Sequence, residues 1–348
     1  MKTELPTSRA ELKERWADFK TTNPKTRIRD AARELGTSEA ELVATGSGEN
    51  ATLLSGDFRD LIREVGLLGQ VMALTRNDHV VHERKGVYEN VSFNNHVGLV
   101  LGPDIDLRLF LGDWKFGFAV HENERHSLQF FNSFGEAAHK IYLTEKSNRE
   151  AYDALVARYR AEDQDVNLFV KEKPESAAEQ IEEPALDKAA FQQEWLALKD
   201  THDFFTLLRK YKLSRSQALR NAPQGYAWQI QPESLKAVFE GTSERQVPIM
   251  VFVSNQNCIQ IHTGPINKIF VMGPWLNIMD PDFNLHLRQD AIDQAWVVRK
   301  PTEDGVVTGI ELIDKDGVMF NQFFGKRKPG LPELPGWVRL IEDTVIKK

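Results

Sequence analysis

The sequence predicts an α+β fold built by tandem duplication, in which a helical segment and a large antiparallel β-sheet each occur twice. Two observations lead to this prediction. Apolar residues at helical spacing open each half of the chain, and short segments with strand-like alternation follow them. Matching stretches then recur at an offset that stays near 176 to 180 residues, and a duplication explains that constancy better than chance.

The first half begins with helices and continues with strands. Residues 8–42 are predicted as helices because Leu12, Trp16 and Phe19 recur at helical spacing, and Ser38 offers an N-cap oxygen to a short helix. Strands are predicted at 79–82, 87–91, 97–101, 107–111, 116–120 and 127–131, and a closing helix at 147–159. The first two strands are expected to form a hairpin through a turn at 84–86.

The second half repeats this order after a linker. Residues 171–187 are rich in Glu and Ala, contain two prolines and lack apolar periodicity, which is typical of a linker. We therefore expect an N-terminal repeat at 1–170, a linker at 171–187 and a C-terminal repeat at 188–348. The matching stretches are 12–19 with 191–198, 37–42 with 214–219, 80–86 with 259–265, 104–109 with 282–287 and 118–120 with 296–298. Paired halves commonly leave a cleft, which is a common place for a ligand.

The composition restricts the classes of partner. The chain has 348 residues, enough for two domains, and its 44 Lys and Arg against 51 Asp and Glu result in a net charge of -7. Nucleic acid and anionic membranes bind positively charged proteins most strongly, so neither is expected as the main partner of this acidic chain. The single cysteine, Cys258, excludes an internal disulfide or a cysteine-based metal site, and its strand-like surroundings predict a small buried residue. Because no signal-peptide core or membrane-spanning apolar run is present, we expect a cytoplasmic protein.

The common catalytic motifs are absent from the sequence. None of the nine histidines forms a helical His-Glu-x-x-His pair, which argues against a zinc hydrolase. The chain also lacks a Gly-x-Gly-x-x-Gly turn, a phosphate-binding loop and a Gly-x-Ser-x-Gly elbow. The sequence therefore contains none of the motifs that usually indicate hydride transfer, nucleotide hydrolysis or serine catalysis.

Two residues remain as candidates for a binding site, together with scattered cations that could bind carboxylates but are alternatively surface residues: Arg27, Arg29, Arg299, Lys300, Lys326, Arg327 and Lys328. His202 lies between two predicted helices and is followed by Phe204 and Phe205, so it offers a nitrogen donor beside an apolar wall, a combination that suits an iron porphyrin. A capping or surface histidine is the alternative, and the residues alone favour it. Arg108 lies on a mostly apolar strand, where alternation places it opposite Leu107, and a solvated strand face is its alternative.

Several short stretches carry a more specific signal through their joint order. They are Asn23-Pro24, Arg29-Asp30-Ala31-Ala32-Arg33, Thr75-Arg76-Asn77, residues 104–110, Thr201-His202-Asp203-Phe204-Phe205, Trp296-Val297-Val298-Arg299-Lys300-Pro301-Thr302 and Phe323-Phe324-Gly325-Lys326-Arg327. In this order they resemble the bacterial hemin-degrading, haem-utilisation proteins of the HemS and ChuS type, over nearly the whole chain. The resemblance implies two similar halves, each a large antiparallel sheet flanked by helices, with haem b held in a cleft between them.

The resemblance also implies roles for individual residues. His202 falls on the family's proximal ligand to the haem iron, and Arg108 falls on its distal arginine. Lys300 and Arg327 fall where the family faces the haem propionates, and Arg29 is a further cation of this kind. Phe204 is expected to cover the macrocycle. An axial imidazole needs a partner for its second nitrogen, for which Asp203 or a backbone carbonyl is available.

The activity implied is degradation of hemin with O₂ and an external electron donor, releasing iron, with Arg108 as the catalytic residue. A non-catalytic haem chaperone or storage protein that receives haem from an inner-membrane importer is the alternative, because it needs the same His202 and Arg108. In a third interpretation the duplicated fold is an interaction module without haem, and His202 is an ordinary surface residue. No membrane insertion is expected, and the residues leave open a monomer or a homodimer.

Overall fold

The structure is a computed structural model, and it describes residues 8–173, 185–328 and 330–346. Of the predicted linker, residues 174–184 therefore lie outside the described residues. The chain divides into two compact units. The first contains the described residues of Met1–Arg76, Arg84–Glu175 and Asn255–Ile259, and the second contains those of Asn77–Glu83, Ser176–Ser254 and Gln260–Lys348. Each unit thus includes a short segment from the other half of the sequence.

Ten α-helices are found in the described residues. They are α1 Arg9–Thr22, α2 Ile28–Glu34, α3 Glu39–Ala44, α4 Phe58–Glu64, α5 Arg149–Tyr159, α6 Lys188–Leu196, α7 Asp203–Tyr211, α8 Arg215–Arg220, α9 Ser234–Glu244 and α10 Pro335–Ile341. Short 3₁₀ turns lie at Val65–Leu68, Leu111–Asp113 and Gln289–Ala291, and a π-helical turn lies at Glu342–Ile346. No helix in these residues is both long and apolar enough to cross a membrane.

The strands of the described residues number eighteen. They are β1 Ala51–Leu54, β2 Gly69–Arg76, β3 Val80–Gly86, β4 Ser92–Phe93, β5 Gly98–Leu101, β6 Asp106–Leu109, β7 Trp114–Glu122, β8 Arg125–Asn132, β9 Ala137–Ser147, β10 Ala227–Ile230, β11 Ile249–Ser254, β12 Cys258–Gly264, β13 Ile269–Met272, β14 Trp275–Met279, β15 Phe283–Arg288, β16 Gln294–Thr302, β17 Gly305–Ile313 and β18 Met319–Gly325.

The two units contain the same arrangement of strands. In the first unit, five adjacent antiparallel strands follow the order β1-β7-β8-β9-β2, and three more follow the order β6-β5-β4. In the second unit, the corresponding orders are β10-β16-β17-β18-β11 and β15-β14-β13. Along the chain, three helices, a strand, a helix, eight strands and a closing helix occur twice in the described residues. The predicted α+β duplication is confirmed.

Both repeats start their third helix with the same local device. Ser38 accepts a hydrogen bond from the backbone of Glu41, whose carboxylate accepts one from the backbone of Ser38. Ser214 and Gln217 form the equivalent capping box before α8. Such boxes satisfy N–H groups that the first turn of a helix leaves unpaired. The predicted cap at Ser38 is confirmed.

The predicted hairpin at 79–91 is wrong. Strand β3 runs without interruption through residues 84–86, and residues 87–91 form no strand. Gly86 is needed there for close packing, because a Cβ atom on it would lie 2.6 Å from Cβ of Asp104. A glycine after two charged residues is typical of a turn, but in β3 it permits a close approach of two segments within the first unit.

Each unit has its own hydrophobic core. In the first, the buried residues include Leu61, Leu107 and Phe130, and Cys258 is fully buried there as predicted. Burial raises the pKa of the Cys258 thiol to about 12, so the group is a neutral core residue. In the second, a larger core surrounds Phe239, and a smaller one lies beneath α6 and α7. Burial of each large apolar side chain stabilises the fold by roughly 1.5–3 kcal/mol.

Candidate functional site

His202 lies in the turn between α6 and α7, and the backbone on its N-terminal side is firmly held. Trp195, which is fully buried, donates a hydrogen bond from Nε1 to the carbonyl oxygen of Arg299 in β16 at 3.0 Å. The N–H of Glu303 donates to the carbonyl oxygen of Lys199 at 2.9 Å. The β16–β17 hairpin thereby fixes the turn that presents His202.

The imidazole of His202 is oriented by Asp200. Its Nδ1 lies 2.5 Å from Oδ1 of Asp200, which also accepts the backbone N–H of His202 at 2.8 Å. A carboxylate can only accept in this contact, so Nδ1 carries a proton, and in the neutral imidazole the lone pair is on Nε2. Because 93% of the His202 side chain is exposed, Nε2 is available to an incoming ligand. This is the tautomer that an axial metal ligand requires.

The partner of the His202 imidazole is thus Asp200, whereas the sequence suggested Asp203 or a backbone carbonyl. Asp203 instead accepts the backbone N–H of Asp200 at 3.1 Å, which closes the turn before α7. The hydrogen bond from the backbone of His202 lowers the pKa of Asp200, and the imidazole and the charge of Arg327 lower it further against a smaller opposing effect of burial. Asp200 is therefore ionised at neutral pH, as an orienting carboxylate must be.

Arg327 follows β18 and is half-buried. Its charge acts on Asp200 and on Glu333, whose pKa is raised by burial while the contacts with Thr308 and the charges of Arg299 and Arg327 oppose the rise. His202 and Arg327, two of the residues predicted for the site, thus both act on the carboxylate of Asp200 in the second unit.

Phe204 and Lys300 form a second pair, inside the core rather than at the surface. The Phe204 ring is fully buried and meets Trp195 edge to face, with ring centroids 4.6 Å apart. Nζ of Lys300 lies 4.6 Å from the centroid of the Phe204 ring. The aromatic surface exposed beside His202 is Phe205, which is 60% exposed.

The Lys300 ammonium is part of a buried ionic cluster. Its Nζ lies 2.6 Å from Oε1 of Glu311, and Arg215 contacts both oxygens of the same carboxylate, at 2.6 and 3.0 Å. Burial alone would raise the pKa of Glu311, but Arg215 and Lys300 outweigh it and hold that pKa well below its usual range. Burial lowers the pKa of Lys300, and Glu311 opposes this effect. A ligand carboxylate would have to compete with Glu311 for this ammonium, so the role of Lys300 stays a prediction.

Arg108 lies on β6 of the first unit, and the predicted alternation is confirmed. Leu107 and Leu109 are fully buried, while the Arg108 side chain is 33% exposed on the other face. Its Nη1 pairs with Asp106 and donates to the carbonyl oxygen of Leu107 at 3.2 Å. A guanidinium has five N–H donors, so this arrangement positions the group without exhausting it.

Arg29 also belongs to the first unit, in the first turn of α2. About a quarter of its side chain is exposed, and Nε lies 4.0 Å from Oδ1 of Asp30. The structure thus places Arg29 and Arg108 in the first unit, and His202, Phe204, Lys300 and Arg327 in the second. Their roles stay predictions.

The contact of Asp200 with His202 and the buried ionic clusters were not predicted from the sequence, whereas Phe205 was predicted as part of the apolar wall beside His202. Only the spacing of Asp200, two residues before the histidine, was a signal for its contact. In the first unit, Glu39 pairs with Arg76 and with Lys140, where Nζ lies 2.5 Å from Oε1. Single charges on largely apolar strands are the only sign of such clusters in a sequence. Within the described residues, no group of three or more His, Cys, Asp or Glu side chains is arranged to hold a metal ion.

The chain is similar to several known proteins over nearly its whole length. The family described as "Haemin-degrading HemS.ChuX domain" matches residues 36–159 and 212–344. The hemin transport protein HmuS of Yersinia pestis is 39% identical over 343 residues, covering 97% of this chain and 98% of HmuS. Among solved structures, apo-PhuS, a heme-binding protein from Pseudomonas aeruginosa, has a TM-score of 0.92 at 46% identity, covering 97% of this chain and 99% of PhuS. The heme degrading enzyme ChuS of Escherichia coli O157:H7 has a TM-score of 0.88 at 35% identity, covering 97% and 100%.

Proposed function

Since this chain belongs to the haemin-degrading HemS.ChuX family, we propose that it binds haem, with Nε2 of His202 as the axial ligand to the iron. The observation that carries this proposal is the contact of Asp200 with Nδ1, which places the lone pair of the neutral imidazole on Nε2, in an exposed position. Neutral imidazole is a common axial ligand of haem iron, and a carboxylate on the second nitrogen strengthens it as a donor.

Residues around His202 would position the rest of the molecule. Phe205 is the exposed aromatic surface next to the ligand, and Arg327 is the nearby cation for a propionate. Arg29 is proposed as a further propionate contact, although Asp30 already lies near it. Phe204 and Lys300 would support the site from the core. Phe204 packs under α7, and Lys300 contacts both the Phe204 ring and the carboxylate of Glu311.

The reaction we propose is oxidative opening of the porphyrin of haem b, with release of iron. Haem itself supplies the redox-active iron and the ring that is oxidised, while O₂ and an external electron donor are consumed. The part assigned to the protein is to hold the iron through His202 and to donate hydrogen bonds to the reacting O₂ from the guanidinium of Arg108, which has five N–H donors. We place this activity in the cytoplasm, with haem supplied by an inner-membrane importer.

Transport of intact haem is the second candidate function. The exposure of the His202 side chain favours it, because an accessible ligand can pass haem to an acceptor without unfolding of the carrier. The similar protein HmuS carries the name hemin transport protein, whereas the similar ChuS is described as a heme degrading enzyme.

The deciding experiment is an anaerobic hemin titration followed by addition of O₂ and a reductant, with catalase present. Loss of the Soret band with stoichiometric tetrapyrrole and iron would support degradation. A stable complex that passes haem to an acceptor would support transport. Failure to bind hemin at micromolar concentration would exclude both and favour an interaction module without haem.

Arg108 can be tested in the same assay. We expect Arg108→Ala to bind hemin normally and to degrade it about a hundredfold more slowly, the usual cost of one catalytic hydrogen-bond donor. Arg33→Ala is the matched control, since it removes an exposed arginine of the same unit. A wild-type rate in Arg108→Ala would remove the proposed catalytic role.

A further inference from the structure

Two histidines lie side by side at the tip of the β7–β8 hairpin in the first unit. β7 ends at Glu122 and β8 begins at Arg125, so the loop contains only Asn123 and Glu124. Both loop residues have positive φ, 49° and 60°. Two positive φ values are the signature of a type I′ turn, the tight connection whose twist matches that of the strands. The hairpin is therefore well defined up to its tip.

The register places His121 directly opposite His126, next to the closing pair Glu122 and Arg125. The N–H of His121 donates to the carbonyl oxygen of Asn50 at 2.8 Å, on the side away from β8. His121 and His126 are thus a non-hydrogen-bonded pair, the kind in which opposite Cβ atoms approach to about 4.5–5.5 Å. Both imidazoles consequently lie on the same face of the hairpin.

The two rings are in close contact. Their centroids are 4.0 Å apart and their planes differ by 5°. In the described part of the chain, no side-chain or backbone group forms a hydrogen bond with a ring nitrogen of either residue. His121 is exposed and His126 is half-exposed, and the His126 ring also meets Tyr152 edge to face with centroids 5.7 Å apart. Because the two imidazole planes are nearly parallel, coordination of one metal ion by both rings requires a rotation of the exposed His121 ring.

Burial and nearby charges act on His126. Burial lowers the pKa of His126, the charges of Arg149 and His121 lower it further, and Asp153 opposes them. Arg149 itself is paired with Asp153, whose Oδ1 lies 2.8 Å from Nε. Neutral imidazole is the form that coordinates metals, and each ring in that form offers one donor nitrogen.

We propose that His121 and His126 form a two-histidine chelate for a divalent first-row transition-metal ion, with water as the remaining ligands. Imidazole suits zinc, nickel and copper, and the affinity of such a site rises toward copper. The chelate depends on the rigid hairpin. Once one imidazole has bound the metal ion, the hairpin holds the second imidazole close to it, at a high effective concentration. It is independent of His202 and of haem.

The test is a titration of the full-length protein with zinc and nickel chlorides, followed by calorimetry and by the NMR signals of the imidazole protons. His121→Phe and His126→Phe keep an aromatic ring in the stack and remove one donor nitrogen. We expect each to weaken metal binding by about tenfold or more. His96→Ala, which removes a single exposed histidine from the loop between β4 and β5, is expected to bind as the wild type does.

Two further measurements make the outcome decisive. Hemin-loaded protein is expected to keep the metal site, and Cu²⁺ on the wild type is expected to show two coordinated imidazole nitrogens by electron paramagnetic resonance. Equal metal affinity in the wild type and in the double variant His121→Phe/His126→Phe would overturn the proposal. The pair would then serve only as a stacked aromatic contact across the hairpin.

Discussion

The contact between Asp200 and His202 is the smallest feature on which the proposed function depends. Asp200 binds both the backbone N–H and the imidazole of His202, so one carboxylate sets the position and the tautomer of the ligand. Hydrogen-bond partners of this kind commonly affect metal affinity nearly as strongly as the ligands themselves.

We therefore predict distinct effects of two substitutions. His202→Ala should weaken hemin binding strongly and change the ferric Soret band, because the axial nitrogen is lost. Asp200→Asn should keep the ligand but weaken binding by about 10- to 100-fold, since the orienting charge is removed. Absorbance titration measures both, and Asp203→Asn is the control because its amide oxygen can still accept the N–H of Asp200. An unchanged spectrum in His202→Ala would show that another residue holds the iron.

Glu39 illustrates how a buried residue links stability to pH. Burial alone would raise the pKa of Glu39, but Arg76 and Lys140 lower it to about 2 from its usual 4.5. The unfolded chain therefore binds a proton at higher pH than the folded one. The stabilising contribution is fully present above about pH 5 and is lost as the pH falls toward 2.

This difference is worth about 3 kcal/mol in the free energy of unfolding. Urea denaturation from pH 6 down to pH 2.5 should show a steep loss of stability in the wild type. Glu39→Gln, which is neutral at every pH, should be less stable at pH 6 and show a smaller loss on acidification. Equal slopes in the two proteins would contradict the assignment of this titration to Glu39.

Two asparagines hold equivalent turns in the two repeats. Oδ1 of Asn77 accepts the N–H groups of His79 and Val80, and its Nδ2 donates to the carbonyl oxygens of Ser254 and Phe320. Asn255 does the same with the N–H groups of Asn257 and Cys258 and the carbonyl oxygens of Arg76 and Ala138. Each side chain thus joins the turn before one strand to two other strands of its unit.

Loss of either amide should be costly. We predict that Asn255→Ala lowers the free energy of unfolding by about 2–4 kcal/mol, because several partly buried backbone groups lose their partner. Asn94→Ala is the matched control, since Asn94 accepts two N–H groups in an exposed turn. Its effect should stay below about 1 kcal/mol. Chemical denaturation measures both, and similar losses would show that burial does not matter at Asn255.

At the scale of the whole molecule, the sequence is repeated, and each of the two units contains a short segment from the other half of the sequence. The second unit contains Asn77–Glu83, from the first half of the sequence, and Val80 is almost completely buried in its core. The N–H of Arg288 also donates to the carbonyl oxygen of His79 at 2.9 Å in this unit. The predicted boundaries at 1–170 and 188–348 separate these residues from the unit that they complete.

A fragment of residues 188–348 should therefore be less stable than the same region in the full chain. We expect it to lose several kcal/mol, from the buried Val80 and the hydrogen bonds of Asn77. Hydrogen exchange in β15 measures the effect, and a fragment with residues 77–86 fused to it should recover protection. Full protection in the unextended fragment would show that the exchanged segment adds little.

The local patterns of the sequence were enough to predict the duplicated α+β fold, the capping of α3, the alternation along β6 and the burial of Cys258. Each depends on residues close together in the chain, where periodicity and side-chain chemistry act directly. The family resemblance is confirmed as well, while the site roles and the domain boundaries stay predictions. The turn expected at residues 84–86 failed because a glycine that permits close packing and one that permits a turn look alike in a sequence.

Other properties were decided only when distant segments met. The burial of Phe204, the pairing of Lys300 with Glu311 and the choice of Asp200 as partner of His202 all depend on contacts in three dimensions. The pairing of His121 with His126 needed the register of a hairpin. The physical reason is that a sequence shows which side chains can bury, pair or coordinate, whereas folding determines which partners are within reach and how much water remains around them.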